Sequence, residues 1–393
     1  MSIDPSQRHI AFDQLRAATP IRFDAPTRTF VLTRYADGRA LLNDPSLWRD
    51  ADQAEEGALV RAFKPADMNR PGDRDSGVGW MDNPEHARVR PPISIALNRR
   101  VQALRPFLEG VVRRRLDALG GRAAFDVVVD YALPIPIEVI GHILGVDTSD
   151  MAQFRAWSEA AIDIFSRAQS PERRAATQAA AEAIMDFLDA AMAERRRAPR
   201  DDIICDLLAV QAATGALSDS EIRVNCMNLL LGGNVTTADL IANAVWLLLT
   251  HPVELARLRA DPALITGAIE EVLRLEPPTD GTQRVASREL EIHGCPVHRR
   301  QVVAVMLHAA NRDPAQFTDP HRFDITRREG PHLAFGGGAH LCLGAPLARL
   351  EAQVAVAAIF ERFPGLRLAD PGAPPQWRDL DFLHGLAALP VLA

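Results

Sequence analysis

A chain of 393 residues, 47% hydrophobic and 24% charged, is long and apolar enough to bury a sizeable core, which excludes intrinsic disorder. A formal charge of -7 argues against general nucleic-acid binding and leaves room only for a local basic patch that docks an acidic protein. Cys205, Cys226, Cys295 and Cys342 show neither CxxC pairing nor disulfide-framework spacing, so a reducing cytoplasm is expected and a cysteine-held zinc is not.

The opening MSIDPSQRHIAFDQ lacks the apolar run of a signal peptide or membrane span, which predicts a protein with no membrane association. No long linker divides the chain, so one domain is expected over residues 1–393. Thr29 to Thr33 predicts a strand, and Tyr35 to Asn43 a helix stopped by Asp44 and Pro45. From Asp50 to Gly79 the composition is rich in Gly, Pro and Asp, which predicts a long loop region suited to a cover or a surface insertion. His86 and Arg90 stand one helical turn apart. They suit either a clamp on a carboxylate or an ordinary exposed helix face.

Between Val101 and Leu217 the pattern is helical, and the runs Arg113 to Arg115 and Arg195 to Arg197 read as solvated faces. Ser218 with Glu221 forms a capping box, and apolar periodicity continues to Leu249, a helix of about 45 Å. Gly232 and Gly233 weaken that helix by roughly 1 kcal/mol each, which suggests close approach of a flat ligand or a local opening. Thr236 lies one turn beyond Gly232, with its hydroxyl either facing that space or bonding back to the carbonyl four residues earlier. Asn228, Leu229 and Gly232 share the Thr236 face and are candidates for lining a pocket.

A further helix starts at Asp261 and Pro262, ends before Pro277, and carries Glu271 and Arg274 at a spacing that permits pairing. Asp280 stands in a turn, solvated or suited to a cationic group. Leu290 to Ile292 and Val302 to Met306 alternate as a small hairpin would. Finally, Phe335 to Gly344 reads FGGGAHLCLG, a glycine-rich loop that places Cys342 just before a helical pattern. Backbone N–H groups at such a helix start favour a thiolate, a soft and strongly donating ligand of the kind that holds haem iron.

That loop resembles the haem-binding signature of the cytochrome P-450 family, and other segments resemble the family's elements in the expected order. WMDNPEHARVR matches its HxxxR element, LLLGGNVTT its oxygen-binding helix, and Glu271 with Arg274 and the later Arg322 its structural Glu-Arg-Arg triad. The resemblance implies a mainly helical fold with a small β part, holding haem b (iron protoporphyrin IX) between a long central helix and the cysteine loop. Cys342 would ligate the iron, while Gly233, Phe335, Gly336 and Gly344 would lie against the haem. His86, Arg90, Arg284 and His340 would hold its propionates. Thr236, helped by Thr237, would order water and protons, and Thr279 and Asp280 would lie near the substrate.

The activity implied is monooxygenation of a small organic molecule with dioxygen, driven by electrons from a separate ferredoxin and ferredoxin reductase, without a fused reductase. One departure matters. The residue before the family's threonine is usually acidic, and here it is Val235. That opens a second expectation, peroxide use or oxidative coupling, and a more remote one, a non-catalytic interaction module.

Overall fold

The computed structural model describes residues 8–63, 77–147, 151–162, 170–378 and 382–393. The described chain opens with α1 (Arg8–Ala18), the paired strands β1 (Ile21–Asp24) and β2 (Thr29–Leu32), and α2 (Tyr35–Asn43). Three short 3-10 turns, at 51–53, 59–63 and 78–80, follow in the segment expected to be a loop, of which 64–76 lie outside the described residues. Helices then dominate: α3 (Glu85–Ala103), α4 (Arg105–Leu119), a short β3 (Ala124–Asp126), α5 (Pro134–Leu144), α6 (Met151–Ile162), α7 (Pro171–Arg197) and α8 (Ile203–Thr214).

Next come α9 (Asp219–Thr250), α10 (Pro252–Ala260) and α11 (Ile265–Leu275). Strands β4 (Gly281–Val285), β5 (Leu290–Ile292), β6 (Cys295–Val297) and β7 (Val302–Met306) precede α12 (Leu307–Ala310) and α13 (Ala345–Arg362). The chain closes with β8 (Arg367–Leu368) and β9 (Pro390–Leu392). The fold is mainly helical with small sheets, as the sequence implied.

Helix α9 organises the helical part. At its start the Ser218 hydroxyl accepts the Glu221 N–H at 3.0 Å while the Glu221 carboxylate accepts the Ser218 N–H at 2.8 Å. That reciprocal box satisfies two otherwise orphaned donors. The helix then runs unbroken for 32 residues, about 48 Å, straight through Gly232 and Gly233. It packs against α5, α7, α11 and α13, and its apolar residues are buried around most of its circumference. Among the described residues, the stretch Val127–Leu144 is long and apolar enough to cross a membrane, and 72% of it is buried inside the protein.

The main sheet runs β1-β2-β7-β4, with β2 and β7 parallel and the other pairs antiparallel. The expected hairpin between Leu290–Ile292 and Val302–Met306 is not formed. Strand β5 pairs instead with β6, around His293 and Gly294, which take φ of 52° and 76°. A two-residue turn of that hand closes a local hairpin before the chain reaches β7, which is left to join β2 and β4.

In the basic runs Arg113, Arg114, Arg196 and Arg197 are exposed, as expected of solvated faces, while Arg115 and Arg195 turn inward. Arg114 and Arg115 both pair with Glu138 across to α5. Arg195 is 4% exposed, donating to Asp202 at 2.9 Å and to the Gly145 carbonyl at 2.6 Å.

Candidate functional site

The cysteine loop takes its shape from its glycines. Gly336 and Gly338 have φ of 72° and 65°, and a Cβ on Gly338 would lie 2.4 Å from the Leu42 carbonyl oxygen. A larger residue at 338 is excluded on both counts. The Cys342 N–H donates to the Phe335 carbonyl at 2.9 Å and the Leu341 N–H to Gly338 at 3.1 Å, folding the loop onto itself. Gly344 is the N-cap of α13.

The Cys342 side chain is reachable by solvent yet densely ringed by protein atoms. Burial pushes its thiol up, against the opposing pull of the Gly344 and Ala345 N–H groups, Arg90 and Arg349. The N–H groups at the helix start favour the thiolate, as expected, but burial outweighs them. A metal ion at the sulfur would secure the thiolate, since coordination removes the thiol proton outright.

A cationic cluster meets the same loop. His86 on α3 and His340 of the loop lie with ring centroids 4.3 Å apart, and His86 Nε2 and His340 Nδ1 are buried without a hydrogen-bond partner. Arg284 on β4 is 3% exposed and donates to the carbonyls of Gln283 at 3.0 Å, Leu42 at 3.2 Å and Gly337 at 3.2 Å. Arg49, which the sequence reading missed, donates to the Gly79 and Gln283 carbonyls at 3.0 Å and lies over the Trp80 ring at 4.7 Å.

Burial, with the neighbouring Arg284, lowers the Arg49 guanidinium to about 9, and burial lowers Arg284 to about 10. Burial, then His86 and Arg284, hold His340 at about 2. The nearby acid Asp82 accepts the backbone N–H groups of Arg49 and Asp50 at 2.6 and 3.1 Å. A cavity of about 210 Å³ opens among His86, Arg284, His340, Asp82 and Trp48. Desolvated cations bonded to carbonyls, beside unpartnered imidazole nitrogens, fit an anionic group such as a carboxylate. Arg90, one turn after His86, acts electrostatically on both His86 and His340 and donates to the Leu341 carbonyl beside Cys342.

On α9, the Thr236 hydroxyl donates to the Gly232 carbonyl at 2.7 Å. A Cβ added at Gly232 or Gly233 would meet nothing within 4 Å, so this face borders open space. Thr237 does not share it and is 2% exposed in the core. Val235 is fully buried, and Asn234 is 3% exposed with both amide atoms unpartnered. Asn228 abuts Gly77, where an added Cβ would lie 1.5 Å from the amide nitrogen, and Leu229 packs on the core. Thr279 forms an isolated bridge with Leu383. Asp280 is ion-paired with Arg8, so its carboxylate is already engaged and does not await a cationic substrate.

The brace beneath the loop has a different third member from the one expected. Arg274 holds Glu271 through two bonds of 2.7 and 2.8 Å, but Arg322 is 62% exposed and pairs with Asp324. Arg327 reaches Glu271 at 3.1 Å instead. The part played by residue 322 is its backbone carbonyl, which accepts from both Arg274 and Arg327 at 3.2 Å. Next to this brace, Glu270 accepts two bonds from Arg349 at 2.7 and 2.9 Å, and the Arg349 guanidinium lies 4.6 Å over the Phe335 ring.

The sequence model of the cytochrome P-450 family matches residues 125–374. The 6-deoxyerythronolide B hydroxylase of Saccharopolyspora erythraea is 38% identical over 379 residues, covering 95% of this chain and 92% of the relative. The nocardicin C N-oxygenase of Nocardia uniformis is 37% identical over 392 residues, covering 98% and 95%. Among solved structures, the cytochrome P-450 BioI, in complex with an acyl carrier protein ligated to hexadec-9Z-enoic acid, superposes with a TM-score of 0.88 at 33% identity, covering 99% of both chains.

Proposed function

Since the chain belongs to the cytochrome P-450 family, whose members bind haem through a cysteine thiolate, we propose that it is a monooxygenase with Cys342 as the iron ligand and a small organic molecule as substrate. When bound, the haem supplies the redox-active iron at which dioxygen is activated. The observation that carries this reading is that the loop bearing Cys342 and His340 also meets His86, Arg284 and Arg49. That arrangement offers a soft ligand at one point and an anion-binding cluster at another, as a porphyrin with two carboxylates requires.

Each residue then has a definable task. The N–H groups of Gly344 and Ala345 and the charge of Arg90 stabilise negative charge on the Cys342 sulfur. His86, His340, Arg284 and Arg49 hold the propionates, while the Glu271-Arg274-Arg327 brace and the Glu270-Arg349-Phe335 stack keep the loop in place. Gly232 and Gly233 leave room on α9. Thr236 commits its hydroxyl proton to the Gly232 carbonyl, so the oxygen presents lone pairs to the open space and acts there as a hydrogen-bond acceptor. It positions a proton donor, such as water, rather than giving up its own proton.

Electrons come from a separate ferredoxin and its reductase in this reading, and the fold works as one domain in the cytoplasm. The relatives' names, which give 6-deoxyerythronolide B and nocardicin C, and the carrier-bound hexadecenoic acid in complex with BioI frame the compounds to screen. The test is a screen for ligands that shift the haem spectrum, followed by turnover with ferredoxin, reductase and isotopically labelled dioxygen. One labelled oxygen atom in the product supports the reading, and a product without label overturns it.

A second reading, peroxide use or oxidative coupling, is favoured by one observation. Val235 places a fully buried methyl-bearing side chain where the family pattern leads to the expectation of an acid, so position 235 offers no carboxyl to relay protons beside Thr236. Hydrogen peroxide supporting faster turnover than the ferredoxin system would favour it.

A further inference from the structure

Away from the cysteine loop, four segments bring histidines onto one buried carboxylate. Glu276 follows α11, His308 lies in α12, His384 belongs to the C-terminal segment and His9 lies in α1. Glu276, His308 and His384 are 3%, 1% and 1% exposed, and their ligand atoms lie within 4.8 Å of one another. His384 Nε2 is 2.8 Å and His308 Nε2 3.6 Å from Glu276 Oε2, while His9 Nε2 is 3.8 Å from Oε1.

The histidines are under-used as hydrogen-bonding groups. Neither ring nitrogen of His308 has a partner, nor does Nδ1 of His384 or of His9, although all are buried. Of these, His308 Nε2 is the nitrogen that faces the Glu276 carboxylate. An occupant that accepts its lone pair relieves an unpaired buried atom, and one with positive charge also answers the carboxylate.

From this geometry we propose that Glu276, His308 and His384 form a binding site for a first-row divalent metal ion of the zinc type, with His9 or solvent as fourth ligand. Tetrahedral zinc, with bonds of about 2.0–2.2 Å to nitrogen and oxygen, places its ligand atoms about 3.3 Å apart. The separations from Glu276 Oε2, 2.8 Å to His384 Nε2 and 3.6 Å to His308 Nε2, bracket that spacing, so small side-chain rotations complete the site.

The surroundings agree with it. Arg312 donates to Glu276 Oε1 at 2.7 Å, which orients the carboxylate and leaves Oε2 toward His308 and His384. The second positive charge nearby, Arg8, is neutralised by Asp280. Trp377 stacks on His384 with centroids 3.7 Å apart and fixes its plane.

Such an ion would join α1, the end of α11, α12 and the C-terminal segment, next to the Thr279–Leu383 bridge. Its role would be structural, because none of its ligands belongs to the cysteine loop or to α9.

The test uses the full-length, haem-loaded protein, treated with EDTA, incubated with zinc chloride, and desalted before elemental analysis and thermal unfolding. The proposal expects close to one zinc retained per chain and a raised unfolding temperature, both lost in His308→Phe and His384→Phe. Cobalt(II) in place of zinc should give visible absorption bands of a low-coordinate nitrogen and oxygen site in the unmutated protein, a readout that stands if either variant fails to fold. The exposed His293, His298 and His321, paired with acids on the surface, are the source of any adventitious binding. No retained zinc and no cobalt bands would mean that water fills the site and would overturn the proposal. Retention unchanged in both folded variants would overturn it equally.

Discussion

His86 and His340, 254 positions apart by their numbers, lie with ring centroids at 4.3 Å, and each keeps one buried nitrogen without a partner. With Arg284 and Arg49 they form a pocket whose charge is complementary to a carboxylate. Replacing His340 or His86 with Phe should loosen haem retention. A lost hydrogen bond to a charged group costs about 1.5–3 kcal/mol, roughly ten- to a hundredfold in affinity. Haem transfer to a scavenger protein measures it, and unchanged loss rates in both variants would remove the propionate role.

The brace predicts a contrast between two arginines. Arg327→Ala strips one partner from the 3% exposed Glu271, which keeps Arg274, and should cost about 1.5–3 kcal/mol. Arg322→Ala removes an exposed side chain and should stay within about 0.5 kcal/mol. Denaturant midpoints of the two variants decide it. Equal effects would contradict the geometry.

This contrast also shows what was legible in the sequence. Glu271 and Arg274 are local, three apart on one helix, and the Ser218–Glu221 box is written in four residues. Arg322 and Arg327 are both arginines in the same irregular segment, and only the path of the backbone decides which one turns inward. The missed Arg49 is similar: SLWRD carries no motif, and its meaning comes from β4 and the Trp80 turn folding around it. Asp280 looked available until α1 supplied Arg8 from 272 positions away. The β5–β6 pairing was readable in principle from the His-Gly turn, but the longer strand pattern of 302–306 competed with it.

Thr236 and Val235 give a prediction about oxygen use. Thr236→Ala removes the acceptor oxygen and should divert reducing equivalents to peroxide or water, whereas Thr236→Ser should retain coupling. Val235→Glu should raise coupling under the ferredoxin system while costing about 1–3 kcal/mol of stability, because position 235 is fully buried. The ratio of product formed to reductant consumed measures both. An unchanged ratio in Val235→Glu would show that the missing acid does not limit proton delivery.

Acid should weaken the loop's support through Glu270. Burial would raise its carboxyl, but bonds from Arg349 and His332 and their charges bring it from 4.5 to about 2. The folded state then binds fewer protons than the unfolded state between these values, so the stabilisation is complete above about 4.5 and is lost as the pH falls toward 2. Glu270→Gln should flatten the fall of the denaturant midpoint across that window. An equally steep fall in the variant would assign the acid sensitivity elsewhere.

Ligation of the haem iron by the Cys342 thiolate is read out by the reduced carbon monoxide spectrum. The unmutated protein should show a band near ~450 nm, lost in a folded, haem-containing Cys342→Ser variant. A native protein that binds haem without that band, or a Cys342→Ser variant that keeps it, would contradict the assignment.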